Sequence, residues 1–221
     1  MRNTEGNRRD RAQLSRRLRT TLLLTGAVVL ASAGRADEPD GPALAHARYV
    51  AATVCGTCHG VDGNSTQPKF PRLAGQRADY LDNQLKAFRA QTRGDPDAIA
   101  YMWGMASQLD DETMHALGGY YAGEKTGTSG GGDTALISRG REVYAHGLPA
   151  EGVPACSSCH GADAHGTPEY PRLAGQHAQY VLKQLASFQS NMRNVAIMHG
   201  VAQNLRLPEM RAVAAYLEAQ P

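Results

Sequence analysis

Apolar residues recur along this chain at helical spacing. Over 77–92 they stand at Leu81, Leu85 and Phe88, and over 177–192 at Val181, Leu185 and Phe188, in each case one stripe of an amphipathic helix. The same reading predicts helices at 43–54 and 134–146, with a loop from Gly147 to Pro154 after the second. Closing helices are expected at 111–122, behind an Asp110 cap, and at 208–219, with Pro208 in the first turn. No segment sustains the alternation of a half-buried strand, so the expected fold class is all-α. Between the two sets of helices lies a stretch rich in Gly, Ser and Thr, from Glu124 to Asp133, with the character of a linker.

The elements come twice. Pro71-Arg-Leu-Ala-Gly-Gln76 recurs word for word as Pro171-Arg-Leu-Ala-Gly-Gln176, and Tyr80, Gln84, Leu85 and Phe88 recur as Tyr180, Gln184, Leu185 and Phe188. Met102-Trp-Gly-Met-Ala-Ser-Gln-Leu109 is matched by Met198-His-Gly-Val-Ala-Gln-Asn-Leu205. A tandem duplication explains these matches together, because copying one unit end to end repeats its residues and its spacing. The expected organisation is a signal peptide at 1–36, an N-terminal domain at 37–122, a linker at 123–133 and a C-terminal domain at 134–221.

Composition adds a constraint. Of 221 residues only 6% are aromatic, with one Trp and three Phe, while 24 are Gly and 11 are Pro. Two small units with so little bulk complete their cores with something that is not an amino acid.

The formal net charge of +2 misleads, because residues 1–36 hold eight arginines and two acids. That Arg-rich stretch, the apolar run from Leu22 to Ala31 and the small residues ending at Ala33 and Ala36 read as a secretory signal, cleaved after one of those two alanines. The expected destination is the periplasm. Without the signal the chain has 15 basic and 19 acidic residues, which removes the electrostatic footing for a nucleic-acid partner. The acidity is lopsided: residues 37–122 carry 7 basic and 11 acidic groups, residues 123–221 carry 8 of each. Asp79, Asp82, Asp110 and Asp111 are the acids expected to steer a basic partner toward the N-terminal domain.

All four cysteines fall in two copies of one pattern, Cys55-Gly-Thr-Cys58-His59 and Cys156-Ser-Ser-Cys159-His160. Two thiols three residues apart lie on one turn and add across the two vinyl groups of a haem, and the adjacent imidazole then lies under the iron. Zinc ribbons bring their Cys-x-x-Cys knuckles close together in sequence, whereas these pairs stand at opposite ends of the duplication. Structural disulfides or a redox-active pair would leave the histidine after both pairs without a reason. The pattern therefore predicts two covalently attached haem c groups, held by Cys55, Cys58, Cys156 and Cys159, with His59 and His160 on the irons.

The duplication also nominates the ligands on the opposite face. Of seven methionines, Met102 and Met198 are the pair that coincides in the repeat; Met105 faces Val201, and Met114, Met192 and Met210 have no partner. His199, beside Met198, is the rival, because its repeat partner Trp103 cannot bind iron. A methionine that merely fills a core is the other alternative.

Two Cys-x-x-Cys-His segments, paired Leu-Ala-Gly-Gln segments, Tyr80/Tyr180, Gln84/Gln184 and a late Met in each half resemble the dihaem cytochrome c4 family from about residue 41 to 219. The resemblance implies two tandem cytochrome c-like domains related by a pseudo-two-fold axis, with haem propionates close together where they meet. It implies that the carbonyls of Pro71 and Pro171 accept hydrogen bonds from His59 and His160. It also implies an electron carrier, not an enzyme, moving electrons from a quinol-oxidising complex to a terminal oxidase. A dihaem peroxidase needs a displaceable haem ligand, and a Met is on offer to each iron. The electron-accepting subunit of a periplasmic dehydrogenase, such as a sulfide-oxidising flavocytochrome, stays open as an alternative, as does loose membrane association. One departure from the family pattern is the Gly94-Asp95-Pro96-Asp97 connection before Met102, with an even shorter route to Met198.

Overall fold

A computed structural model describes residues 41–127 and 131–221; the signal peptide expected at 1–36 lies outside the described residues, as does part of the linker. Helix α1 (Pro42–Val50) runs through a wider π turn (Ala51–Cys55) into α2 (Gly56–His59). Then come α3 (Ala78–Arg89), a second π turn (Ala98–Met102) continuing into α4 (Trp103–Ala106), and α5 (Asp111–Gly123). The second half repeats the series as α6 (Thr134–His146), α7 (Ser157–His160), α8 (Ala178–Gln189), α9 (Ala196–Ala202) and α10 (Leu207–Glu218). The predicted cap is present: Asp110 accepts a hydrogen bond from the Thr113 N–H at 2.8 Å. The loop expected between α6 and α7 holds a short 3-10 turn, Pro149–Glu151. Among the described residues there is no strand, only isolated bridges, one of which joins Arg93 to Arg193. None of these helices is long and apolar enough to cross a membrane.

In each half the first and last helices cross, α1 on α5 and α6 on α10, and the long middle helix packs on the last. Small residues set the crossing distance. Ala47 is fully buried in the first half; in the second, a Cβ on Gly140 would stand 2.0 Å from the Ala212 carbonyl oxygen. The cores are built from aliphatic and tyrosine side chains, Val50, Leu81, Leu117 and Tyr121 in one half and Val143, Tyr144, Val213 and Leu217 in the other.

The repeated Leu-Ala-Gly-Gln is a turn. Gly75 and Gly175 have φ of 65° and 72°, and Gln76 N–H and Gln176 N–H return to the Leu73 and Leu173 carbonyls. A turn with positive φ at its third residue favours glycine. The amides of those glycines then donate to the carbonyls of Tyr121 and Leu217, tying the turn to the last helix of each half.

Candidate haem-binding cavity

Each Cys-x-x-Cys-His segment is wound into a helical turn, so both thiols of a pair face the same side, half-buried, with the histidine buried behind them. His59 Nδ1 lies 2.8 Å from the Pro71 carbonyl oxygen and His160 Nδ1 lies 3.0 Å from that of Pro171. The Nδ1–H donates in each case, which fixes the tautomer and leaves the lone pair on Nε2. Burial lowers the pKa of both imidazoles, and the proline carbonyls only partly oppose it. The rings are therefore neutral, the form that binds a metal. Phe70 and Tyr170 stand edge-on to them at centroid distances of 6.1 and 5.8 Å.

Burial has the opposite effect on the thiols. It raises Cys55, where a hydrogen bond to Tyr121 only partly offsets it, and pushes Cys156 up to about 11. A redox-active dithiol needs a stabilised thiolate. Burial instead holds the first thiol of each pair against ionisation. The two pairs also do not gather into one site, and among the described residues no group of three or more His, Cys, Asp and Glu side chains is placed to hold a metal ion.

A cavity of about 910 Å³ runs through both halves, and Cys55, Cys58, His59, Met102, Cys156, Cys159, His160 and Met198 all line it. Its walls are otherwise largely apolar, with Leu85 and Phe88 on one side and Leu185 and Phe188 on the other. Protein interiors pack as densely as organic crystals, so apolar space of this size is a site for an apolar group. A flat macrocycle carrying iron fits it, with thiols at its edge and a neutral imidazole beneath. The residues present fit one haem in each half.

The methionines separate by position. Met102 packs against Phe88, Ala98 and Met114 at the cavity wall, and Met198 against the second-half core. Met114 and Met210 are buried core residues, and Met192 is exposed. Met105 reaches the cavity, but so does its repeat partner Val201, which has no ligating atom. The rival His199 is turned away: its Nδ1 lies 2.9 Å from the Phe188 carbonyl oxygen, and it does not line the cavity. His177 is a satisfied buried histidine, with Nε2 2.8 Å from the Ser65 carbonyl oxygen in the other half.

Where the halves meet, the structure brings together residues whose role sequence reasoning missed. Arg93 and Arg193 are both buried, lie over the Phe88 and Phe188 rings, and reach across to Tyr180 and Tyr80 at 3.1 and 2.7 Å. Gln84 Oε1 accepts from both guanidinium groups at 2.7 and 2.9 Å, and Gln184 Oε1 does the same at 2.9 and 2.8 Å. The signal was available, because the register that carries Gln84 to Gln184 also carries Arg93 to Arg193. The steering acids fare differently. Asp82 is buried and pairs with Lys86 at 2.7 Å, Asp110 caps α5, and Asp111 pairs with Arg89, which leaves Asp79 as the exposed one without such a role.

The family model for cytochrome c matches residues 44–120 and again 137–220. Cytochrome c4 of Azotobacter vinelandii is 38% identical over 217 residues, covering 93% of this chain and 99% of the relative. The chain belongs to the dihaem cytochrome c4 family. The crystal structure of reduced recombinant cytochrome c4 from Pseudomonas stutzeri superposes with a TM-score of 0.73 at 35% identity, covering 82% of this chain and all of that one. A thiosulfate dehydrogenase electron acceptor of Thiomonas intermedia is 35% identical over 177 residues, covering 77% of this chain and 80% of the relative. As a cytochrome c4 relative, the chain carries two covalent haem c groups and is an electron-transfer protein, not an enzyme. Its mostly helical, duplicated fold is that of two tandem cytochrome c domains.

Proposed function

We propose that this chain is a periplasmic shuttle that takes electrons from a quinol-oxidising complex and delivers them to a terminal oxidase. The observation that carries the proposal is the single cavity containing both Cys-x-x-Cys-His segments and both repeated methionines. Two redox centres enclosed together let one protein take up an electron at one end and release it at the other. The domains extend over 37–122 and 134–221, joined by the linker at 123–133, and export follows from the signal at 1–36.

Cys55 and Cys58 hold one haem by thioether bonds, and Cys156 and Cys159 the other. His59 and Met102 bind the first iron, His160 and Met198 the second. When bound, each haem supplies one-electron iron chemistry, with the Met ligand raising its potential. The chain supplies the rest. Pro71 and Pro171 orient the imidazoles through Nδ1–H, the aliphatic walls exclude water, and Arg93 and Arg193 offer positive charge to propionates where the halves meet.

The second reading, an electron-accepting partner of a periplasmic dehydrogenase, is favoured by the likeness to the thiosulfate dehydrogenase electron acceptor. One experiment separates the two. The exported protein is weighed to count haems and locate signal cleavage, and its reduction is followed with a purified quinol-oxidising complex or with a dehydrogenase as donor. Fast reduction by the complex and reoxidation by an oxidase are expected; reduction by the dehydrogenase alone would replace the shuttle with the second reading.

A further inference from the structure

The polar network between the halves obeys the repeat at its arginines, tyrosines and glutamines, and breaks it at one carboxylate. Asp95 is buried, 2.7 Å from Arg93 Nε, and accepts a hydrogen bond from Gln184 Nε2 at 3.3 Å. Two residues beyond Arg193 the chain has Val195, an exposed apolar side chain, and among the described residues no carboxylate forms an ion pair with Arg193. The equivalent glutamine, Gln84, likewise has no carboxylate to donate to among the described residues. The cause is a difference in chain length. Eight residues separate Arg93 from Met102 but four separate Arg193 from Met198, and the longer connection includes Asp95, Pro96 and Asp97. Asp97 is drawn to the opposite half, where it pairs with Lys183.

Arg93, Asp95 and Arg193 all line the cavity. Arg93 lies over Phe88, which packs with Met102 in the first half, and Arg193 lies over Phe188 in the second. The first half therefore presents a guanidinium in direct contact with a carboxylate, whereas Arg193 has no such contact among the described residues and feels the Asp95 charge only through space, in a buried setting where solvent screens little. We propose that Asp95 makes the two haem sites unequal, holding the reduction potential of the N-terminal site below that of the C-terminal site. Adding an electron is opposed by a nearby fixed negative charge and favoured by a positive one. Asp95 acts through Arg93 and through space, and is a positioning residue, not a ligand. The inference rests on the haem reading of the cavity.

The test is Asp95→Asn in the intact holoprotein, which keeps the side chain's size and one acceptor oxygen while removing the charge. Both potentials are read by spectroscopic redox titration, and each is assigned to its half by magnetic-resonance contacts between haem methyls and Phe88 or Phe188. In the native protein the first electron is expected on the C-terminal site. In Asp95→Asn the equilibrium constant for that preference falls about tenfold, which is 59 mV for a one-electron couple, through a rise in the N-terminal potential. Asp95→Glu keeps the native gap. Should Asp95→Asn not fold, Val195→Asp is the complementary variant, expected to close the gap by lowering the C-terminal potential. Equal native potentials, or variants that move both potentials together or neither, overturn the proposal. Failure of the underlying reading looks different: the native protein would then lack two haem masses and a c-type spectrum.

Discussion

The side-chain amide of Gln76 takes both backbone hydrogen-bonding groups of Arg172, its Oε1 accepting from the Arg172 N–H at 3.0 Å and its Nε2 donating to the Arg172 carbonyl at 2.8 Å. Gln176 clasps Arg72 in the same way, at 2.9 Å for each bond. The glutamine of each Leu-Ala-Gly-Gln turn thus behaves like a residue of a neighbouring strand, and the two halves hold one another reciprocally.

Removing either clasp leaves backbone groups unpaired in a part-buried seam. Gln76→Ala and Gln176→Ala are each expected to destabilise the protein by about 2 kcal/mol. Urea denaturation gives the loss, and faster hydrogen exchange at the Arg172 or Arg72 amide localises it. Unchanged exchange at those amides would mean the clasps do not join the halves in solution.

The proposed methionine ligands make a spectroscopic prediction. Met102→His and Met198→His should each remove about half of the long-wavelength sulfur-to-iron band of the oxidised protein and lower one reduction potential. His199→Phe should leave the band intact. A native protein without that band would rule out methionine ligation.

Helix crossings respond to a single methyl group. Gly140→Ala places a Cβ against the Ala212 carbonyl and is expected to cost about 3 kcal/mol, because α6 and α10 must move apart. Gly119, exposed on α5, meets nothing within 4 Å of an added Cβ, so Gly119→Ala is expected to be neutral or to stabilise by about 0.5 kcal/mol. Thermal melts of the two variants give the comparison.

Acid sensitivity should carry a contribution from Asp95. Burial raises its pKa, but the Arg93 guanidinium, its hydrogen bonds and the charge of Arg193 more than offset this and hold the carboxyl below its ordinary value. Its stabilisation is therefore fully present above the unfolded-state pKa of about 3.9 and is lost as pH falls through the lower folded value. Stability measured against pH should decline less steeply below about pH 4 in Asp95→Asn than in the native protein.

Salt dependence tests the steering surface, with the variants chosen by their environments. Asp79 is exposed in the first turn of α3, so Asp79→Lys should weaken the salt dependence of electron transfer to a basic partner at a stability cost of about 1 kcal/mol from the helix dipole. Asp82→Lys and Asp110→Lys should instead lower stability, since the buried Asp82 pairs with the partly exposed Lys86 and Asp110 caps α5. Stopped-flow rates that stay flat from low to high salt would remove the steering model.

By itself the sequence determined the six longest helices among the described residues, the duplication, the cofactor and the residues nominated to hold it, but not the shorter α4 and α9 or the π turns. Each of these rests on local pattern: the spacing of Leu81, Leu85 and Phe88, segments repeated at a nearly constant interval, and two thiols and a histidine on one helical turn. Even the choice between Met198 and His199 was half made by the repeat, and the structure adds that His199 turns to the Phe188 carbonyl. What only tertiary structure decided is what repeats do to each other. Gln76, Gln84 and Arg93 are ordinary polar residues in the sequence, and they become a buried lattice because their partners, Arg172, Arg193 and Tyr180, belong to the other copy. Nor does a charge count distinguish Asp79 in water from Asp82 beside Lys86 or Asp95 beneath Arg93. Charge is a property of composition, whereas its effect depends on burial and on neighbours about a hundred residues away, and those are fixed only when the two halves close on one another.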